Sequence, residues 1–123
     1  MEIKELTRAE EQIMQMLWQL KRAFVKDLIE ALPEPKPAYN TVSTFVRILE
    51  TKGFVDHTPF GKSHEYFPVV SKEQYQNFAT DKLLSGYFDN SIKHMFSYFV
   101  SKERIDLKEA DEIMKLIGKL KDK

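Results

Sequence analysis

Apolar residues along this chain change period twice, and the changes mark out its elements. The central stretch, residues 39–53, reads YNTVSTFVRILETKG. Val42, Phe45, Val46 and Leu49 fall at i, i+3, i+4 and i+7, one stripe of a helix that turns about 100° per residue. Asn40, Ser43, Thr44, Arg47 and Thr51 gather on the opposite side, with Glu50 at the edge. Thr and Ser are mediocre helix formers, so a face chosen only for helix stability would favour Lys, Glu and Ala. Short hydrogen-bonding groups around one guanidinium suit a helix pressed into the DNA major groove. The plainer alternative is an amphipathic helix whose polar face meets only water.

Before this stretch, Thr7-Arg8-Ala9-Glu10 fits a capping box and predicts a helix to about Leu20, with Ile13, Met14, Leu17 and Trp18 as its apolar stripe. Trp18 is expected to pack against the third helix, and Lys21-Arg22 to favour the first helix's C-terminus. Val25, Leu28, Ile29 and Leu32 predict a shorter second helix without a side-chain N-cap, stopped by Pro33. Three prolines between 33 and 37 make a stiff connector to the third helix, 39–52, which Gly53 ends. The period then shortens. Residues 54–58 and 63–70 predict two strands around a turn at Pro59-Phe60-Gly61-Lys62. Three helices and a hairpin in this order predict a winged helix-turn-helix over residues 1–70, with Lys62 at the wing tip as a phosphate contact.

The helical period returns in 71–123. Ser71-Lys72-Glu73-Gln74 is a second capping box and opens a helix to about Ser85, with Gly86 as punctuation. Ile92, Met95, Phe96 and Phe99 mark a fifth helix, and Asp106-Leu107-Lys108-Glu109 caps a sixth striped by Ala110, Ile113, Met114, Ile117 and Leu120. The fold class is mainly α (α+β): a winged helix followed by a three-helix region. So small a helical piece hides few large side chains by itself. Phe78, Leu83, Met95, Phe96, Phe99, Ile113 and Ile117 are therefore assigned to a homodimer seam, since two-fold pairs are the commonest oligomers.

Charge adds a counterweight. The chain's 19 basic residues balance its 19 acidic ones, and neither half is basic, so no global field announces a nucleic-acid partner. A groove reader needs only a local positive footprint. The absence of Cys excludes disulfides and thiolate metal sites. No long apolar run or signal peptide is legible, and a soluble cytoplasmic protein without membrane insertion is expected.

The motifs LTRAEEQIMQMLW, TVSTFVRILETKG followed by FVDH, YFPVVS and IDLKEADEIMKLIGKLK together resemble the penicillinase-repressor family, the BlaI/MecI-type transcriptional regulators. The resemblance spans almost the whole chain. It implies a dimeric repressor on dyad-symmetric, double-stranded operators of antibiotic-resistance or related genes. It also implies release when a membrane sensor metalloprotease triggers a cut in the dimerisation region. The family's Asn-Phe bond falls at Tyr98-Phe99 here, where Tyr98 departs from the pattern. Among recognition-helix residues, Thr41, Thr44 and Arg47 match. Asn40 stands where a relative has Lys, and Ala38 and Tyr39 where it has Ser and Pro.

The candidate DNA contacts are therefore Asn40, Thr41, Ser43, Thr44, Arg47 and Lys62. His57 and His64 could meet across the paired strands, but a third metal ligand is not evident and no metal or other cofactor is expected. Glu10-Glu11 reads as a pair of dipole and solvent residues beside a cap. No Ser-His-Asp spacing, phosphate loop or nucleophile elbow appears, so an enzyme is not expected. The remaining alternative is a winged helix used as a protein-interaction module, in keeping with the neutral charge.

Overall fold

The computed structural model describes residues 2–121. The element order is α1 (Arg8–Leu20), α2 (Val25–Ala31), α3 (Tyr39–Thr51), β1 (Val55–Phe60), β2 (Ser63–Pro68), α4 (Lys72–Tyr87), α5 (Ile92–Ser101) and α6 (Leu107–Lys121). Two compact units divide the chain, and the break falls inside α4, between Phe78 and Ala79.

Caps start most of these helices. Thr7 accepts from the Glu10 amide while the Glu10 carboxylate accepts from the Thr7 amide at 2.9 Å, so two orphan donors of α1 are satisfied reciprocally. Ser71 and Gln74 do the same for α4. Phe24 precedes α2 without a capping side chain, and Asp27 reaches back to accept from its amide at 2.9 Å. At the other end of α2, the Lys36 ammonium donates to the carbonyls of Glu30 and Leu32. Lys21 does not support the last turn of α1; it is the C-cap residue itself, at φ +72°. Arg22 instead reaches the hairpin, with Nε 2.9 Å from a Glu65 carboxylate oxygen and its guanidinium 4.5 Å from the centre of the Phe67 ring.

The first unit folds around the predicted stripes. Ile13, Met14 and Leu17 of α1, Val25 and Leu28 of α2, and Val42, Val46 and Leu49 of α3 form one core with Phe54, Val55, Tyr66, Val70 and Tyr75. Trp18 packs against this core, donates its indole N–H to the Val70 carbonyl at 2.9 Å, and its ring centre lies 6.1 Å from that of Tyr75. Gly53 sits at φ +85°, which a residue with a Cβ enters only with strain. That turn lets the Phe54 amide bond the Leu49 carbonyl and sends the chain into β1.

The strands pair antiparallel from Val55↔Pro68 to Phe60↔Ser63. Pro59 and Phe60 thus belong to β1, and the turn is only Gly61-Lys62. Gly61, at φ +61°, supplies the positive angle that a type II′ hairpin turn needs at its first central residue.

Glu10 is more than a cap. It is 3 % exposed, and its carboxylate meets the Lys52 ammonium at 2.6 Å, tying the start of α1 to the end of α3. It is thus a buried tie rather than a solvent residue. Burial by itself would raise the Glu10 carboxyl; the Lys52 hydrogen bond and charge and the Thr7 bonds outweigh it, and the net is below the ordinary value of 4.5. A depressed folded-state value means stability present above the unfolded value and lost as pH falls through the folded one. Glu10→Gln is expected to cost about 1–3 kcal/mol at neutral pH. Urea titrations across pH should show that difference shrinking below about pH 4.5; a gap constant down to strong acid would contradict it.

In the second unit, Gly86 lies inside α4 and does not end it. Asp89 and Asn90 do, at φ +53° and +57°, with the Asn90 amide on the Leu84 carbonyl. Asn and Asp tolerate this left-handed region better than other residues with side chains. Ser91 then caps α5 through the His94 amide, and Asp106 caps α6 through the Glu109 amide. Phe88 is the one buried apolar side chain among the described residues after Phe78, ringed by His94, Tyr98 and Phe99.

Candidate nucleic-acid interface

The outer face of α3 is polar because its inner face is fully used by the core. Asn40, Thr41, Thr44 and Arg47 are exposed and Ser43 is half-buried. Thr44, Arg47 and the neighbouring Thr51 bond the helix's own carbonyls one turn back: Thr44 Oγ1 donates to Asn40 O at 2.8 Å, Thr51 Oγ1 to Arg47 O at 3.1 Å, and Arg47 Nε to Ser43 O at 3.4 Å. Such local bonds are weak and readily exchanged for an intermolecular partner.

The hairpin stands beside this face because three contacts hold it there. A two-way bridge joins Ala23 to Tyr66, with N–H···O distances of 2.9 and 2.8 Å, adding a one-residue third strand to the hairpin. Arg22 bonds Glu65 and also Thr58 Oγ1. Phe60 meets Phe24 edge to face at 5.8 Å. None of these pairings has a local sequence signal.

Between the hairpin and the helices an open cleft forms, lined from α2 by Val25 and Lys26, with Phe24 just before them, from α3 by Tyr39, Ser43 and Arg47, and from the hairpin by Phe60, Lys62, Ser63, His64 and Tyr66. Lys26, Arg47 and Lys62 are its cations, and no carboxylate is among the lining residues. The zero net charge therefore conceals a local positive footprint. Burial pushes the Tyr66 phenol up, helped by the nearby Glu50 charge and opposed by Arg47.

Of the residues expected from sequence to touch DNA, Ser43, Arg47 and Lys62 come together in the cleft. Asn40, Thr41 and Thr44 share the exposed side of α3 without lining it. Lys26, Tyr39 and His64 were missed. Tyr39 had a usable signal, since residues 39, 43 and 47 form one i, i+4, i+8 row. Lys26 had none, because its place depends on how α2 docks.

The residues assigned to a dimer seam are distributed differently. Phe78 lies 5.5 Å from Tyr75 at the edge of the first unit's core. Met95, Phe96, Phe99 and Ile113 are half-buried, whereas Leu83 and Ile117 are exposed. Tyr98 is 39 % exposed and neighbours Phe99 in the Phe88 cluster.

The profile of the penicillinase repressor family matches residues 6–119. The chain belongs to the penicillinase repressor family. The methicillin resistance regulatory protein MecI of Staphylococcus aureus (strain N315) is 23 % identical over 116 residues, covering 94 % of each chain. The penicillinase repressor of Bacillus licheniformis is 19 % identical over 122 residues, 98 % of this chain and 95 % of that one. These relatives are regulators rather than enzymes, in agreement with the missing catalytic motifs.

The fold agrees as well. The solution structure of the DNA-binding domain of the repressor BlaI aligns with a TM-score of 0.53 at 23 % identity, over 60 % of this chain and 92 % of that one. The complex structure of hsRosR-S1 aligns with a TM-score of 0.53 at 14 % identity, over 93 % and 90 %. The mainly helical winged-helix architecture expected from the hydrophobic pattern is thus the observed one. No helix among the described residues is long and apolar enough to cross a membrane.

Proposed function

We propose that this family member is a cytoplasmic, homodimeric repressor that binds dyad-symmetric operator DNA, with residues 1–70 as the DNA-binding head and 71–123 as the dimerisation region. The carrying observation is the cleft between α3 and the hairpin, cationic at Lys26, Arg47 and Lys62 and free of lining carboxylates. A phosphate backbone is the polyanion such a cleft fits, and α3 beside it has the width and polar face to enter a major groove. Asn40, Thr41, Ser43, Thr44 and Arg47 then read bases and nearby phosphates, and Lys62 holds the backbone.

Dimerisation is supported by the poverty of the second unit's interior. Its buried apolar complement among described residues is Phe88, while Met114, Leu116, Ile117 and Leu120 stand exposed along one helix. A second copy is the partner that a two-fold repressor supplies. Release by proteolysis at Tyr98-Phe99, triggered by a membrane sensor metalloprotease, and control of antibiotic-resistance genes rest on family resemblance.

Gel-shift titrations with operator and scrambled duplexes test the head. A bidentate Arg47 contact to guanine makes Arg47→Ala cost about 1–3 kcal/mol per half-site, selectively on operator. Lys62→Ala should weaken both duplexes alike and lower the salt slope by about one per half-site. Arg47 is exposed, so the variant should fold. Unchanged operator binding by folded Arg47→Ala would remove α3 from the interface and favour a protein-interaction module.

A further inference from the structure

The sequence spacing of His57 and His64 lacks a third metal ligand, and the fold brings in two. Glu50, from the last turn of α3, places a carboxylate oxygen 2.5 Å from His57 Nδ1. Asp56 places one 3.9 Å from the same nitrogen. Consecutive residues of a strand normally point to opposite faces. Asp56 overcomes this by folding back, its Oδ1 accepting from the His57 backbone amide at 2.8 Å. One donor atom from each of the three residues lies within 4.8 Å of the others.

The imidazole is itself held in place. His57 and His64 occupy diagonal places on the paired strands, and their rings stack at 4.0 Å and 9°. Tyr66 bounds the His57 ring at 5.7 Å. The orientation of Nδ1 toward the two carboxylates is therefore set by packing before any ligand arrives.

We propose that Glu50, Asp56 and His57 form a binding site for a divalent transition-metal ion of the zinc class, clamping the end of the recognition helix to the first wing strand. One nitrogen and two oxygens are a donor set zinc accepts. Metal–ligand distances of about 2.0–2.2 Å in tetrahedral geometry put neighbouring donors about 3.3–3.6 Å apart. The observed 2.5 and 3.9 Å bracket that spacing and all three donors lie within 4.8 Å of one another, so side-chain shifts of about 1–1.5 Å complete the set. Water takes the open side, since Asp56 is well exposed. The imidazole favours a transition ion over magnesium or calcium, which prefer all-oxygen shells.

Calorimetric titration of the metal-free full chain with zinc chloride tests it. One zinc per chain should bind, and the melting temperature should rise with zinc concentration, because the ion binds the folded state. His57→Ala and Asp56→Asn should each weaken binding at least about tenfold, the lower end of what loss of even a supporting ligand contact costs. Asp56 is exposed, so Asp56→Asn remains informative should His57→Ala unfold. His94→Ala, which removes the His94–Asp89 pair at 3.7 Å, should leave binding unchanged. No binding at about a hundredfold excess of zinc, binding unaltered in both site variants, or equal competition by magnesium would overturn the assignment.

Discussion

Ile117→Asp is expected to sediment as a monomer and to bind operator at least about a hundredfold more weakly than the parent chain, with α3 and the hairpin unchanged. Ile117 is 42 % exposed, and its neighbours along α6, Met114 and Leu120, are more than half exposed. Ile113, a turn earlier, is half-buried and so contributes to the subunit's own packing. In the proposed dimer a charge at Ile117 therefore strikes the seam while sparing the subunit's own interior. In the proposed complex one head, with three cations lining its cleft, offers few phosphate contacts. Its affinity should lie near the non-specific range of about 10⁻⁴–10⁻⁶ M. Linking two heads makes the second contact intramolecular and raises avidity by about 10²–10⁴ when the half-site spacing fits. A cut at Tyr98-Phe99 would have the same consequence by detaching α6. Sedimentation combined with fluorescence anisotropy on operator decides the matter. A monomeric variant with undiminished affinity would refute the avidity account, and a folded variant that stays dimeric would take α6 out of the seam.

Phe54→Ala should be the most damaging single truncation in the first unit, at about 3–5 kcal/mol. Phe54 is fully buried and meets Tyr75 edge to face at 5.6 Å. Its carbonyl accepts from both the Val69 and Val70 amides, at 2.7 and 3.2 Å, so it fastens the end of β2 where the chain leaves α3. Removing the ring leaves a cavity beside Tyr75 in the first unit's core. Against a total stability of about 5–15 kcal/mol, that loss is a large fraction. Urea unfolding of the parent and the variant measures it directly. A loss below about 1 kcal/mol would mean the site collapses around the missing ring.

Much of the fold was legible because its causes are local. The Val42, Phe45, Val46 and Leu49 stripe, the Thr7–Glu10 and Ser71–Gln74 boxes and the Gly53 stop each depend on residues within a few places of one another. Periodicity alone therefore assigned α3 its inner and outer faces, and with them Ser43 and Arg47. Gly86 misled for the same reason: its conformational freedom permits a stop but does not force one, and the Asp89-Asn90 pair took that role.

What tertiary structure decided is everything that joins distant residues. The Ala23–Tyr66 bridge, Arg22 on Glu65, and Lys26 facing Arg47 and Lys62 across a cleft depend on how α2 and the hairpin dock. No periodicity within α2 encodes that geometry. The same holds for charge: a chain neutral by composition acquires a positive cleft only when folding brings Lys26, Arg47 and Lys62 together. Glu50 likewise meets Asp56 and His57 only because the Gly53 turn swings β1 back beside the end of α3. Sequence determined which faces were apolar and where each helix began; the packing of those faces determined which polar groups became neighbours, and the candidate chemistry lies among those neighbours.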